Sequence, residues 1–130
     1  MKYYPIFLDV KERDCLVVGG GGVGTRKAMG LCRSGARVRV ISKAFSQKLE
    51  TISGICLTCK SYDPADLATA FLVFAATDSK GLNEQIQSDA KAREILCNMA
   101  DAPDRSDFIL PSVVERGDLV CAVSTSGASP

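Results

Sequence analysis

A run of four glycines directly after a short apolar segment constrains this chain more than any other feature. Residues 15–18 (CLVV) are continuously apolar, as in a parallel strand that is buried on both faces. Gly19, Gly21 and Gly24 follow in the spacing G-x-G-x-x-G, and the apolar positions after them fall on one helical face. A strand, a glycine turn and a helix in this order predict the first unit of a dinucleotide-binding fold.

Each glycine of this spacing has a physical reason. The first permits a tight turn, the second lets a pyrophosphate approach the backbone, and the third lets helix and strand pack closely. Backbone amides near Gly22 and Val23 are then expected to point at the phosphates, at the positive end of the helix dipole. The alternative is a glycine-rich turn without a ligand, but the strand before it and the helix after it favour the dinucleotide site.

The rest of the chain continues the alternation of strands and helices. Residues 4–10 are predicted to form a short first strand or an extended arm, and Asp63-Pro64 is typical of a helix start. Further strands are predicted at residues 37–41, 55–60, 71–76 and 95–99, and helices at 23–33, 43–52 and 82–93. Five buried strands alternating with helices predict an α/β fold of the Rossmann type, with a mostly parallel sheet and flanking helices.

The last two apolar segments break this rhythm. Residues 108–114 and 119–124 are joined by the turn residues 116–118 (RGD), which predicts a β-hairpin appended after the sheet. This hairpin has no helix to cover it, so we expect it to pair with another subunit. We therefore divide the chain into an NAD(P)-binding Rossmann domain, residues 1–106, and the start of a dimerisation and substrate-site region, residues 107–130.

Composition excludes several classes of function. The chain has no histidine, which removes Ser-His-Asp and Cys-His nucleophilic sites and the zinc motifs that contain histidine. A net charge of +1 gives no overall attraction to nucleic acid or to a membrane surface. The apolar runs are far shorter than the roughly 20 residues that span a bilayer, and the N-terminus lacks the pattern of a signal peptide. We therefore expect a cytoplasmic protein.

The six cysteines predict free thiols rather than disulfides or a metal site. Cys15, Cys32, Cys97 and Cys121 each lie in an apolar segment, where free cysteine packs as a small hydrophobic residue. Residues 56–59 (CLTC) form a C-x-x-C, but they are predicted to lie on a strand. Residues three apart on a strand point to opposite faces, and no second pair lies nearby to complete four zinc ligands.

Polar residues at the ends of the predicted strands are candidates for cofactor and substrate contacts. The acidic residue expected roughly 20 residues past the glycine loop in an NAD enzyme is missing. Ser42 is placed to bond a ribose hydroxyl there, and Lys43 is either compatible with a 2′-phosphate or merely solvated, so NADP is not excluded. Thr77 and Asp78 follow the fourth strand. Asp101 follows the fifth, where it either acts as a general base or caps the turn before Pro103.

In addition to these local patterns, the chain resembles the precorrin-2 dehydrogenase module of the siroheme synthase family. The matching segments run in order along nearly all 130 residues with similar spacing. They are residues 5–9 (PIFLD), 15–21 (CLVVGGG), Val23, 26–27 (RK), 75–78 (AATD), Asn83, 97–98 (CN), Asp101, 108–109 (FI), 111–112 (PS), 122–127 (AVSTSG) and 129–130 (SP).

The resemblance implies a reaction and a cofactor. Members oxidise precorrin-2 to sirohydrochlorin by hydride transfer to NAD+, and some then insert Fe2+ as a ferrochelatase. The aspartate that matches Asp101 serves this chemistry, which favours catalysis over capping at that position. Because the family uses NAD+ without the ribose acid, backbone contacts at Lys43 and Ala44 are implied instead.

The resemblance also implies how the chain assembles. The family forms a homodimer through the segment after the sheet, and continues beyond Ser129-Pro130 into a helical region that helps to close the substrate site. Because the substrate carries many carboxylates, Arg105 and Arg116 are candidates to bind it, although a surface role is open for both. Two rival functions stay open: a Rossmann module that senses NAD without catalysis, and a chelatase that binds no nucleotide.

Overall fold

Five short strands form one parallel sheet in the computed structural model, which describes residues 1–126. The strand order is β3-β2-β1-β4-β5, and each neighbouring pair is parallel. The order reverses beside β1, so a crevice opens at the carboxyl ends of β1 and β4. This architecture confirms the predicted α/β Rossmann-type fold. The strands are Asp14–Val18 (β1), Arg37–Ser42 (β2), Ile55–Cys59 (β3), Leu72–Ala75 (β4) and Leu96–Met99 (β5).

Helices cover both faces of the sheet, which explains why its central strands are apolar without interruption. On one face, Val17 lies in a buried cluster with Leu31 of α1. On the other, Leu16 lies in a cluster with Ile86 of α3. No helix within residues 1–126 has the length and apolar character to cross a bilayer. The helices are Gly22–Arg33 (α1), Gln47–Thr51 (α2) and Lys80–Ala92 (α3), with 3-10 turns at Pro64–Leu67 and Pro103–Arg105.

Three predicted elements differ from the structure. Residues 4–10 form no strand, which leaves the extended arm of the two alternatives. The helix predicted at residues 43–52 is shorter, because Ser46 caps it and residues 43–46 form a loop. The helix predicted after Asp63 is a single 3-10 turn, closed by a capping box between Asp63 and Asp66.

A short polar segment after β5 covers the outer edge of that strand. The Asp107 amide donates to the Cys97 carbonyl at 2.9 Å, and the Asp107 carboxylate accepts from the Cys97 amide at 2.9 Å. The Ser106 hydroxyl accepts from the Met99 amide at 2.7 Å. These side chains satisfy backbone groups that an edge strand would otherwise expose.

The hairpin begins beyond an aromatic anchor. Phe108 meets Phe74 edge to face, with ring centroids 5.6 Å apart, and the Asn98 side-chain amide donates to the Phe108 carbonyl at 2.9 Å. From there the chain enters the antiparallel strands Ser112–Arg116 (β6) and Leu119–Val123 (β7). The predicted hairpin is confirmed, although its first strand begins at Ser112 instead of residue 108 and runs to Arg116, which was predicted as part of the turn. Gly127 and the matching Ser129-Pro130 lie outside the described residues.

Every residue of β6 and β7 is exposed, on both faces of the hairpin. The large apolar side chains Val113, Val114, Leu119 and Val123 are each more than half exposed. A two-stranded hairpin is only marginally stable by itself in water. These two strands therefore need a partner surface from beyond residues 1–126 or from another chain.

The cysteines differ in burial according to whether the element that carries them is covered by the rest of the chain. Cys15 and Cys97 are buried as predicted, and burial raises the pKa of Cys15 to about 11 and that of Cys97 to about 12. Cys32 is half-buried. The expectation of a buried thiol is wrong for Cys121, because every residue of β7 is exposed.

Candidate functional site

A cleft of about 740 Å³ opens at the carboxyl ends of β1, β2 and β4. It lies at the reversal of strand order, where this architecture binds ligands. All of the predicted cofactor residues except Gly24 line it. They are Gly19, Gly21, Gly22, Val23, Ser42, Lys43, Ala44, Thr77 and Asp78. Lys60, Tyr62 and Leu82 also line the cleft, and the sequence analysis did not select them.

The glycine loop is shaped by close backbone approaches. Gly19 has a φ of +127°, and a Cβ there would lie 2.2 Å from the Ala76 carbonyl oxygen. Gly24 lies below the cleft, where a Cβ would come within 2.0 Å of the Gly19 carbonyl oxygen. Gly21 has no atom within 4 Å of its Cβ position. The first and third glycines are therefore required by packing, whereas the second leaves open space at the cleft.

The start of α1 carries no side-chain cap. Its N-cap is Gly21, and its first turn has no acidic residue. In contrast, the hydroxyls of Ser46 and Ser79 cap α2 and α3. The first amides of α1, at Gly22 and Val23, thus line the cleft without a capping side chain. Together with the open space at Gly21, this arrangement fits the pyrophosphate of a dinucleotide.

The end of the cleft at β2 contains a cation and no carboxylate among residues 1–126. The Lys43 ammonium lines the cleft without an ion pair in the described chain, whereas the Lys60 ammonium is paired with Asp66 at 2.6 Å. The Ser42 hydroxyl accepts from the Ala44 amide at 3.4 Å. Asp78 follows β4, two strands along the sheet from β2.

A buried asparagine fixes the loop after β4. The Asn83 side chain of α3 is fully buried, and its oxygen accepts from the Thr77 amide at 3.1 Å and from the Thr77 hydroxyl at 2.7 Å. Its amide donates to the Thr77 carbonyl at 3.0 Å. From the sequence, Asn83 was identified only as one of the residues that carry the family resemblance. The signal in the sequence that could have indicated this positioning role is that Asn83 is a polar residue on the buried face of α3.

Tyr62 lines the cleft, and a hydrogen bond holds its hydroxyl in place. Its hydroxyl donates to the Asp89 carboxylate at 2.9 Å. Burial, this hydrogen bond and the charge of Asp89 all raise the pKa of Tyr62, so the phenol stays neutral. The side chain therefore offers the cleft an uncharged aromatic surface.

Asp101 lies in the turn after β5, exposed and outside the residues that line the cleft. The turn before Pro103 is closed by the Ala102 amide, which donates to the Met99 carbonyl at 3.2 Å, and the 3-10 turn after it has no side-chain cap. The alternative that Asp101 caps the turn before Pro103 is therefore not supported by any hydrogen bond of its side chain within residues 1–126. Instead, the Ser106 hydroxyl bonds the Ala102 carbonyl at 3.2 Å. Within residues 1–126 the Asp101 carboxylate takes part in no hydrogen bond or ion pair, which leaves it open to an external group.

The two candidate arginines lie apart. Arg105 is exposed, and its guanidinium lies 3.4 Å from the carboxylate of Glu84 on α3. Arg116 is exposed at the end of β6. Within the described part of the chain, no group of three or more cysteine or acidic side chains is arranged to hold a metal ion.

Comparisons with known proteins agree with this site. A siroheme synthase of Nitrosococcus oceani is 43% identical across the whole chain, and one of Escherichia coli strain K12 is 41% identical across the whole chain. The chain spans 28% and 29% of the lengths of these relatives. These identities confirm the predicted resemblance to the siroheme synthase family.

Structural similarity leads to the same group. A solved structure named "SirC, precorrin-2 dehydrogenase" superimposes with a TM-score of 0.83 at 31% identity, covering 98% of this chain and 64% of that one. Residues 6–112 match the model of a family described as "Putative NAD(P)-binding". These findings support NAD as the cofactor of the cleft. The match covers most of the chain, which therefore belongs to this NAD(P)-binding family.

Proposed function

We propose that this chain is an NAD-dependent precorrin-2 dehydrogenase, which oxidises precorrin-2 to sirohydrochlorin in siroheme biosynthesis. The observation that carries the proposal is the superposition of 98% of the chain on a precorrin-2 dehydrogenase at a TM-score of 0.83. The identity to siroheme synthases along the whole of this chain supports the same pathway. The cleft at the glycine loop supplies the cofactor-binding site that such an oxidation requires.

In this proposal the cleft orients the cofactor. The amides of Gly22 and Val23 hold its pyrophosphate, and the backbone of Lys43 and Ala44 contacts its adenosine ribose. The loop at Thr77, held by Asn83, borders the other side. NAD+, when bound, accepts the hydride that leaves the tetrapyrrole.

Asp101 is the proposed general base. Loss of a hydride and a proton oxidises the substrate, and an unpaired carboxylate at the end of a sheet strand is suited to accept that proton. Its exposed position, its lack of a capping role and its place at the same edge of the sheet as the cleft support this assignment. Arg105 and Arg116 are proposed to bind substrate carboxylates, with Arg105 first leaving Glu84.

The same proposal covers assembly. The exposed apolar hairpin of β6 and β7 supports a homodimer in which residues 107–130 begin the dimerisation and substrate region and residues 1–106 bind the cofactor. Fe2+ is proposed as the substrate of a second step, its insertion into sirohydrochlorin. Six unpaired thiols fit a reducing compartment, which supports placement in the cytoplasm.

An anaerobic assay with precorrin-2 and NAD+ tests the reaction by the absorbance of NADH. We expect the protein to produce NADH, and Asp101→Asn to lower kcat about 10²- to 10⁴-fold while NAD+ still binds. Asp104→Asn is the matched control, because Asp104 is an exposed carboxylate in the next turn. Equal activity of the two variants would contradict the role of Asp101.

The rival functions give different results in the same experiment. NAD+ binding without NADH formation would favour a sensor. Insertion of Fe2+ into supplied sirohydrochlorin without any NAD+ binding would favour a chelatase that uses no nucleotide.

A further inference from the structure

Two hydroxyl groups far apart in sequence join the two loops that form the cleft. Thr25 lies in α1 with only 5% of its surface exposed. Its Oγ1 lies 2.8 Å from Ser46 Oγ and 2.6 Å from the Gly21 carbonyl oxygen. Ser46 belongs to the loop after β2 and caps α2 by accepting from the Leu49 amide at 3.1 Å. Neither hydroxyl lies in the dinucleotide fingerprint.

The available hydrogens give these bonds one consistent direction. Ser46 Oγ accepts from the Leu49 amide, and the Ser46 hydroxyl hydrogen is then free to donate to Thr25 Oγ1. The Thr25 hydroxyl donates in turn to the Gly21 carbonyl. A threonine that bonds the carbonyl four residues earlier is ordinary in a helix. The bond to Ser46, 21 residues away, is what extends the chain of hydrogen bonds to a second loop.

A second set of contacts holds the same two loops together. The Ser46 amide donates to the Gly20 carbonyl at 2.8 Å. Gly20 lies so close to the following loop that a Cβ on it would come within 2.1 Å of the Ala44 carbonyl oxygen. The glycine loop and residues 43–46 are therefore fixed relative to each other, and Thr25 is the buried polar side chain at their junction.

We propose that the Thr25–Ser46 hydroxyl pair is a positioning device for the pyrophosphate of the dinucleotide. Gly21 is both the N-cap of α1 and the residue whose carbonyl receives the Thr25 hydrogen bond. The Gly21 carbonyl and the Gly22 amide belong to one trans peptide group and point in opposite directions. By holding this carbonyl, the pair therefore sets the direction of the Gly22 amide at the cleft. The inference rests on the proposed binding of NAD+ to this chain. Thr25 acts through Gly21 and does not touch the ligand.

Matched substitutions separate the hydroxyl from the rest of the side chain. Thr25→Val keeps the shape and removes the hydroxyl, whereas Thr25→Ser keeps the hydroxyl. We expect Thr25→Val to weaken NAD+ binding about threefold to tenfold, the effect of one hydrogen bond, and Thr25→Ser to restore wild-type affinity. Adenosine, which lacks the pyrophosphate, should bind both variants and the wild type alike. Calorimetry measures NAD+ and an NMR titration measures adenosine, with thermal melting as a check of folding.

A double-substitution cycle tests the link to the second loop. Because Thr25 acts with Ser46, Thr25→Val should weaken NAD+ binding less in a Ser46→Ala background than in the wild type. Three results would overturn the proposal: wild-type NAD+ affinity in Thr25→Val, equal losses in Thr25→Val and Thr25→Ser, or equal losses for NAD+ and adenosine. Failure of the proposed cofactor role is seen separately, as wild-type protein that does not bind NAD+.

Discussion

Replacing Gly20 with alanine tests the packing of the cleft at a position that the dinucleotide fingerprint leaves free. A Cβ on Gly20 would lie 2.1 Å from the Ala44 carbonyl oxygen and 3.1 Å from Phe45 Cα. The clash is with backbone, so the loop after β2 must shift by about 1 Å, against the hydrogen bond from the Ser46 amide. Overpacking of this kind costs about 1–3 kcal/mol of unfolding free energy.

Gly21→Ala is the matched control, one residue along the same loop. Its Cβ position has no atom within 4 Å, and its φ of −84° is accessible to alanine. We therefore expect unfolding free energy within about 1 kcal/mol of the wild type, since loss of glycine also reduces the entropy of the unfolded chain. NAD+ affinity should fall instead, because the methyl group occupies the open space that we assign to the pyrophosphate.

Urea denaturation followed by circular dichroism measures both stabilities, and calorimetry measures NAD+ binding. For a chain of this length, a loss of 1–3 kcal/mol also lowers the melting temperature by about 3–15 °C. The reasoning is refuted if Gly20→Ala is as stable as the wild type, or if Gly21→Ala loses stability and keeps its affinity for NAD+.

Two further predictions concern charge. Lys43→Glu should weaken binding of NADP+ more than that of NAD+, because it replaces the unpaired cation at the β2 end of the cleft. Lys48→Glu on α2 is the control and should leave the ratio of the NADP+ and NAD+ dissociation constants unchanged in the same titrations. The same ratio in both variants would contradict this role of Lys43. The second prediction concerns the pH dependence of stability that Asp14 and Asp66 cause. Burial raises their pKa values, but hydrogen bonds from Arg39 and Thr69 to Asp14, and from Lys60 to Asp66, outweigh it and hold both below normal. A carboxyl with a depressed folded pKa stabilises the fold above its unfolded pKa, about 3.9, and loses this as pH falls through the folded value. As the pH is lowered below about 4, the urea midpoint of the double variant Asp14→Asn/Asp66→Asn should therefore fall less than that of the wild type. An identical decline in the two proteins would contradict the depressed pKa values of these two carboxyls.

The sheet and the glycine loop were predictable because their signals are local. Residues 15–18 are apolar without a break, since Leu16 and Val17 face cores on opposite sides of the sheet. Gly19 and Gly24 follow at the spacing that the strand-to-helix turn requires. The end of each parallel strand also lies at one edge of the sheet, so Ser42 and Thr77 could be placed at the cleft from their position in sequence alone.

The features that the sequence left undecided depend on contacts between distant segments. Gly20 must be glycine because of Ala44, and Thr25 is a junction because of Ser46, pairs that no periodicity marks. The length of α2 and the burial of a thiol such as Cys121 were misjudged for the same reason, because a local pattern shows that a residue is apolar but not what covers it.

The sequence by itself determined the order of strands and helices, the glycine turn and the family. Only the tertiary structure decided which side chains hold the cleft in shape: Thr25 and Ser46 between its loops, and Asn83 behind Thr77. The physical reason is that burial and backbone turns are set by neighbouring residues, whereas a hydrogen bond between loops exists only once the sheet has brought those loops together.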